Sequence, residues 1–501
     1  MSFFRIFAPS KNEFLTKTLS LVKKLILLTA ILVTVFIYCF ENHQSPKISK
    51  SNLVTCDLDS IRKRGKLIAV TDFNSTDYFI YKGEPMGFNY ELLKTFSDNI
   101  GIDLEIVTEN HLDKAFGMLK SGEADLLAFS LNVNSSGKND LLFTAPVGET
   151  RQVLVQRKPK NWRSLSIDAL DKKLVRNKTE LSRKTIYVQA GSSHAEQLIS
   201  LAREMGDSIS IIEVPLEPEK LIQHVASGEI DYTVCDENIA QVDASYYPDI
   251  DVSTPVSLSQ DFAWGIRKNN SDMLLAELNR WITSYKRTGS YAMLYAKYFK
   301  NARSSSIVKS DFYALNTGKV SQYDDMIRHF SARINWDWRL LASLICQESH
   351  FDPTVESYTG AFGLMQVMPD TGKNFGIDIT SSPENNLKAG ICYINWLHSI
   401  FDVRIEDEKE RISFILAAYN AGPGHVLDAM KLAEKNGMNP QKWDGNVATW
   451  LLKKSEPKYF RDIVVKNGYF KGVESVNFVS QVLTRFEHYK NIIPVEKYRP
   501  F

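Results

Sequence analysis

Cysteine is scarce in this chain. There are five in 501 residues: Cys39, Cys56, Cys235, Cys346 and Cys392. None forms a CxxC pair, so neither a structural zinc site nor a disulfide-stapled scaffold is expected. Small buried hydrophobes are the expectation for most of them, with no Cys346–Cys392 bridge. Net charge is missing too. Lys plus Arg number 60 against 59 Asp plus Glu, which leaves no surplus to draw in nucleic acid or an acidic polymer. No EF-hand loop pattern occurs, and neither a metal nor a cofactor is expected. What remains is an ordinary globular composition, long enough for two or three domains.

One stretch departs from that composition. Lys23-Lys24 precede LILLTAILVTVFIYCF, residues 25–40, with no charge until Glu41. A basic flank followed by an apolar run is an export signal or a membrane anchor. The run is slightly short for a full span of about 17–25 residues. No small-x-small cleavage site follows it, which favours a retained anchor. Residues 1–24 then stay cytoplasmic and the chain from residue 41 faces outward. Tyr38 is too large for the position before a lipoprotein cysteine, and Cys56 lies too far from the run. Residues 41–57 read as a polar tether.

From residue 58, apolar runs such as KLIAVTD alternate with amphipathic stretches such as YELLKTFSDNIGI. That alternation means α/β units. Around Thr144-Ala145-Pro146 and Arg151–Gln156 the chain is expected to cross to a second unit. A weak repeat supports two lobes: Ser121-Gly122-Glu123-Ala124-Asp125 precedes LLAFS, and Ser227-Gly228-Glu229-Ile230-Asp231 precedes YTVCD. Two lobes joined by crossing strands form a cleft, and clefts hold small ligands. The loop Ala190-Gly191-Ser192-Ser193 opens a helix, so its backbone N–H groups suit an anion.

These stretches, with IRKRGKLIAVTD, PMGFNYELLKTF and FAWGIRKNN, resemble the family-3 solute-binding proteins over residues 58–300. The resemblance implies a two-lobed type II periplasmic-binding fold. It implies a ligand near Asp72 to Tyr78, at Phe129, Ser130 and Leu131, at Ser192 and Ser193, and at Asp236. Amino-acid binders of this kind carry an arginine that clamps the ligand carboxylate. Here the corresponding loop, SLNVNSSGKND, offers only Lys138, a poor substitute for a planar fork. A peptide or sugar–peptide fragment such as a muropeptide, or no ligand at all, fits as well as a free amino acid.

Residues 301–320 read as a linker, and residues 321–501 as an all-α domain. Within it, Leu341, Leu344, Ile345 and Glu348 fall at i, i+3, i+4 and i+7, which puts one acid on the oily face of a helix. Asp352-Pro353 stops that helix, and the Gly-rich loop Gly363-Leu364-Met365-Gln366 follows. Periodicity alone favours a plainer reading, a partly buried glutamate paired with a basic residue. A second helix repeats the construction: Ile412, Ile415, Leu416 and Tyr419 share a face, and Asn420 precedes the break at Gly422. Taken alone, Tyr419 reads as a core aromatic with a bonded hydroxyl. An acid, an amide and a tyrosine at three glycine-bounded helix or loop ends suggest one shared groove.

In order and spacing, Glu348-Ser349, Gly363-Leu364-Met365-Gln366 and Ala418-Tyr419-Asn420 resemble the family-1 soluble lytic transglycosylases, a lysozyme-like α fold that cuts peptidoglycan. The resemblance implies that Glu348 is the acid, and that Ser349, Met365, Gln366, Tyr419 and Asn420 contact substrate or orient Glu348. Many members have a tyrosine in the final helix where this chain has Phe478. The partners implied are peptidoglycan glycan strands and a membrane, in the bacterial envelope facing the periplasm. Relatives of this kind sit at the outer membrane, whereas a retained segment 25–40 implies the inner one. Two rivals stay open: a hydrolase in which Asp352 or Glu356 activates water, and a cell-wall-fragment sensor with an inactive lysozyme-like domain.

Overall fold

A computed structural model of the chain describes residues 57–132, 141–300, 307 and 310–493. The segments expected to be cytoplasmic, anchor and tether lie outside the described residues but for Asp57, as does Lys138. Among the described residues no helix is long and apolar enough to cross a membrane.

Two sheets carry the first half. Strands β1 (Lys66–Thr71), β4 (Asp103–Thr108), β5 (Leu126–Asn132), β6 (Leu141–Phe143) and β13 (Gln260–Arg267) form one sheet, ordered β4-β1-β5-β13-β6, and β7 (Gly148–Thr150) adds onto β13. The second sheet is ordered β10-β9-β11-β8-β12, from β8 (Gln152–Arg157), β9 (Thr185–Gln189), β10 (Ser210–Val214), β11 (Tyr232–Asp236) and β12 (Ile250–Pro255). The chain crosses between sheets at residue 151 and returns between Pro255 and Gln260. β1, β4 and β5 pair in parallel while β13 runs against β5. This is the two-lobed α/β arrangement anticipated from the alternating pattern.

The internal repeat has a structural counterpart. Helices α1 (Leu112–Ser121) and α3 (Pro218–Ser227) both end at a glycine in the left-handed region, Gly122 and Gly228. Strands β5 and β11 follow the two aspartates directly. The aspartates themselves differ. Asp125 is fully buried, ion-paired with Arg64 and bonded by the Ile68 N–H at 2.9 Å. Asp231 is exposed and 3.7 Å from Arg157.

The helical domain packs around α4 (Trp338–Ser349), α5 (Pro383–Phe401), α6 (Glu408–Ala421), α7 (Pro423–Lys435) and α8 (Val473–Ile492). Asp337 caps α4 by accepting from the Arg339 N–H, and ten of its twelve residues are buried. A helix apolar all round belongs in a core. Its partner α8 lies against it, with Ser343 Oγ donating to the Val482 carbonyl at 2.7 Å.

This domain is not a bead on a string. A hairpin of the first lobe, β2 (Phe79–Tyr81) and β3 (Glu84–Met86), reaches into it. Ile80 is fully buried in the helical core. Tyr489 Oη donates to the Gly83 carbonyl at 2.6 Å, and Arg485 reaches Glu84 at 3.2 Å. The expected linker is only partly a tether. Tyr313 is fully buried against Phe79, and the Lys82 N–H donates to the Phe312 carbonyl.

Candidate active site

Glu348 stands in the last turn of α4, partly buried, with His350 as a left-handed cap. No hydrogen bond or ion pair reaches its carboxyl group from the described residues. Burial alone pushes its pKa from 4.5 up to about 8. Taking a carboxylate out of water penalises the charged form. No second acid is close enough to contribute. Asp352 is fully exposed and accepts from Thr354 N–H and Oγ1, which hold its pKa below the usual carboxylate range. Glu356 is exposed as well.

The loop from Val355 to Val367 is tied to the end of α4 and to α5. Ser349 Oγ donates to the Leu364 carbonyl at 2.8 Å and to Ile345. Its hydroxyl is therefore turned inward and ties loop to helix. Met365 is fully buried rather than lining the groove. It packs against Gly390 of α5, where an added Cβ would crowd its thioether. Asn386 at the start of α5 clamps the loop, accepting from Met365 N–H at 2.9 Å and donating to Phe362 at 2.8 Å. Gly363 has φ +76°, and a Cβ there would meet the Asn386 amide at 2.6 Å. Gln366 has φ +45° and donates to the Val355 and Gly363 carbonyls.

Tyr419 comes from α6. Its Oη donates to the Met365 carbonyl at 2.7 Å. Burial raises its pKa well above the ordinary value, with a further push from Glu348. The hydroxyl thus stays protonated beside the acid. Asn420 accepts from Ser475 Oγ at 2.6 Å, which fastens the end of α6 to α8. Phe478 is buried on α8. Tyr419 thus stands near Glu348 and holds the Met365–Gln366 turn, while Ser349, Met365 and Asn420 bond or pack into the frame.

Sequence reasoning missed Asn386, Ser475 and the aromatic pair Tyr393 and Trp396. Those two rings stack at 5.6 Å, and Tyr393 lies 5.4 Å from Tyr419. Asn386 had a signal: it falls four residues before Gly390 on the apolar face of α5, where a bare amide needs partners. It also missed the contact between Glu84 and the end of α4. Cys346 Sγ and His350 Nδ1 both approach Glu84 Oε1, at 3.3 and 3.2 Å. Arg485 already holds that carboxylate. Cys235, Cys346 and Cys392 are all free thiols.

In the cleft between the lobes, Asp72, Ser130, Ser192, Ser193 and Asp236 all line one cavity. Tyr78 does not belong with them. It is fully buried, and its Oη meets His488 Nδ1 at 2.6 Å on the far side, toward α8.

The profile for bacterial extracellular solute-binding proteins, family 3, matches residues 67–301, and that for the transglycosylase SLT domain matches residues 325–441. A protein of Desulfosudis oleivorans called membrane-bound lytic murein transglycosylase F is 32% identical over 428 residues, covering 85% of this chain and 90% of its own. A Pseudomonas fluorescens protein of the same name is 30% identical over 434 residues, covering 85% of each chain. Among solved structures, an ancestral arginine-binding protein bound to arginine matches 47% of this chain and 99% of its own, at 22% identity and a TM-score of 0.40.

Proposed function

The chain belongs to the membrane-bound lytic murein transglycosylase F family, and on that premise we propose that it cuts peptidoglycan with Glu348 as its one acid–base group. The carrying observation is the carboxyl pushed up to about 8 by burial with no neighbouring charge. Such a group is protonated at neutral pH and can donate to the oxygen of the β-1,4 bond between N-acetylmuramic acid and N-acetylglucosamine. The C1–O bond then breaks through an oxocarbenium-like state. Ionised Glu348 next takes the proton of the muramyl 6-hydroxyl as that oxygen bonds to C1. Proton and charge return to the start, and the product carries a 1,6-anhydro ring. No water is consumed.

Ordinary glycosidases place a second carboxylate for a nucleophile or a water. Asp352 and Glu356, the only candidates near in sequence, are exposed. Gln366 spends both its N–H donors on the Val355 and Gly363 carbonyls, which leaves its Oε1 to accept from the N–H of an N-acetyl group. Tyr419 orients the Met365 turn beneath the sugar. Mass spectrometry of digested murein is the test. Products lacking the mass of one water at the muramyl end are expected, and reducing ends alone would refute the lyase assignment.

The lobe pair reads as a ligand-binding module, supported by the cavity that Asp72, Ser130, Ser192, Ser193 and Asp236 line. The protein is placed at the cell envelope. Retention of residues 25–40 would hold it in the inner membrane with the rest in the periplasm.

A further inference from the structure

A cysteine, a histidine and a glutamate converge where the first lobe meets the helical domain. Cys346 and His350 are four residues apart, in the last turn of α4 and at its cap, so helical spacing sets them on the same side. Glu84 comes from the hairpin of β2 and β3, whose turn residues Lys82 and Gly83 have φ of +50° and +80°. Two residues of positive φ make the tightest hairpin turn, which fixes Glu84 opposite Tyr81. The turn is itself held down. Tyr489 Oη donates to the Gly83 carbonyl, and a Cβ on Gly83 would meet Cys346 Sγ at 3.0 Å.

The three polar atoms have the spacing of a coordination shell. Glu84 Oε1 is 3.3 Å from Cys346 Sγ and 3.2 Å from His350 Nδ1. All three atoms lie within 4.8 Å of one another. Tetrahedral zinc, with bonds of about 2.3 Å to sulfur and about 2.0–2.2 Å to nitrogen and oxygen, separates its ligands by roughly 3.3–3.7 Å. Two edges of that figure are present, and the exposed His350 ring can swing to close the third. No other three such side chains come as close among the described residues. His194 of α2 (Ser193–Met205), for instance, stands 3.6 Å from Asp236 with no third ligand.

The donor chemistry selects the ion. A thiolate, an imidazole and one carboxylate oxygen suit zinc, whereas magnesium and calcium take oxygen ligands throughout. Thiolate and carboxylate together cancel the two positive charges of the ion. Arg485 does not block the site. Its Nη2 is 3.2 Å from Glu84 Oε1 and 3.5 Å from Oε2, and its Nη1 donates to Gln347 at 2.9 Å. A carboxylate oxygen accepts through two lone pairs, so Arg485 can stay as the outer partner that orients the ligand. Cys346 is fully buried and closes the inner side. The His350 side chain is 72% exposed and leaves the outer side open for the ion to enter.

We propose that Glu84, Cys346 and His350 bind one zinc ion, with water in the fourth position. The Cys346 thiol passes its proton to solvent as the zinc–sulfur bond forms. The ion staples the hairpin of the first lobe to the end of α4, two residues beyond Glu348. Because only the folded junction brings the three ligands together, binding stabilises that junction.

The full-length protein in non-ionic detergent, reduced and stripped of metal by a chelator, would be titrated with cobalt(II) as a spectroscopic stand-in for zinc. One cobalt per chain should bind, with a thiolate-to-metal charge-transfer band and the strong visible bands of four-coordinate geometry. Zinc should displace it and calcium should not. Cys346→Ser should abolish the charge-transfer band. Loss of an outer-shell partner alone costs about 10–100-fold in metal affinity, so Glu84→Gln and His350→Ala should each weaken zinc about tenfold or more. Zinc should raise the melting temperature of the parent and leave that of Cys346→Ser unchanged. Circular dichroism reports whether each variant is folded, and the exposed His350→Ala decides the matter if the buried Cys346→Ser fails to fold. No charge-transfer band in the parent, the same band in Cys346→Ser, a zinc affinity in His350→Ala or Glu84→Gln equal to that of the parent, or equal melting shifts in parent and Cys346→Ser would overturn the site.

Discussion

Replacing Glu348 by glutamine should destroy activity and stabilise the protein, and the two effects should have different pH dependence. The shape of the side chain is kept while its proton is removed. With its pKa raised from 4.5 to about 8, Glu348 is protonated in roughly nine molecules of ten at pH 7. An ordinary glutamate would be protonated in about three of a thousand. The parent rate should hold level across neutral pH and fall about tenfold per unit above pH 8. Glu348→Gln should lose on the order of 10² to 10⁴ in rate at every pH. The stability effect has a definite sign. A carboxyl whose pKa is raised on folding contributes stability that is full below pH 4.5 and is lost as pH rises to about 8. Glutamine never ionises and keeps it. The variant should therefore match the parent at pH 4, exceed it by about 3 kcal/mol at pH 7, and approach 5 kcal/mol above pH 8. Release of anhydromuropeptides from murein sacculi across pH 5–10 measures the first effect. Urea unfolding at pH 4 and pH 8 measures the second. An active variant, or equal stabilities at both pH values, would refute the burial of this acid as the basis of catalysis.

Other outcomes follow from the frame. Tyr419→Phe deletes one hydrogen bond to the Met365 carbonyl and should cost about 1 kcal/mol in denaturant melts, with a larger proportional loss in murein turnover. Lys454 is fully buried against Asp428 at 2.7 Å. Lys454→Ala strands that carboxylate and should cost about 3–5 kcal/mol by urea unfolding; an unchanged midpoint would contradict it. Ile80→Ala in the first lobe should lower the unfolding midpoint of the helical domain, by about 2–5 kcal/mol, read by hydrogen exchange along α4 and α8. Exchange raised only in the lobes would mean the hairpin does not share the helical core. N-terminal sequencing of the purified protein should begin at Met1 or Ser2; a start beyond residue 40 would show the apolar segment is removed.

The helix that ends at Glu348 was legible because its information is local. Leu341, Leu344, Ile345 and Glu348 share a face by helical geometry alone, and the chain leaves the helix at His350, just ahead of the Asp352-Pro353 stop. The alternation of apolar runs with amphipathic stretches marked two α/β lobes for the same reason, and glycine at 122 and 228 marked where helices stop. Side-chain roles were less legible. Ser349, Met365 and Asn420 stand in the right motifs, yet their atoms face inward, to Leu364, Gly390 and Ser475. A motif names a position but not the direction of a χ angle. Tyr78 sits six residues from Asp72 and points to a different domain.

By itself, then, the sequence determined the order of the parts and the single acid among them, since periodicity, capping and composition act over a few residues. The tertiary structure alone decided three things. It buried Glu348 without a counter-charge, which raises its pKa. It turned acids from distant segments onto one cleft, Asp72 and Asp77 from one lobe and Glu219 and Asp236 from the other. It buried Ile80 of the first lobe in the core of the helical domain. Each depends on residues far apart in the chain meeting in a medium from which water has been removed. Desolvation and long-range packing have no local signature to read.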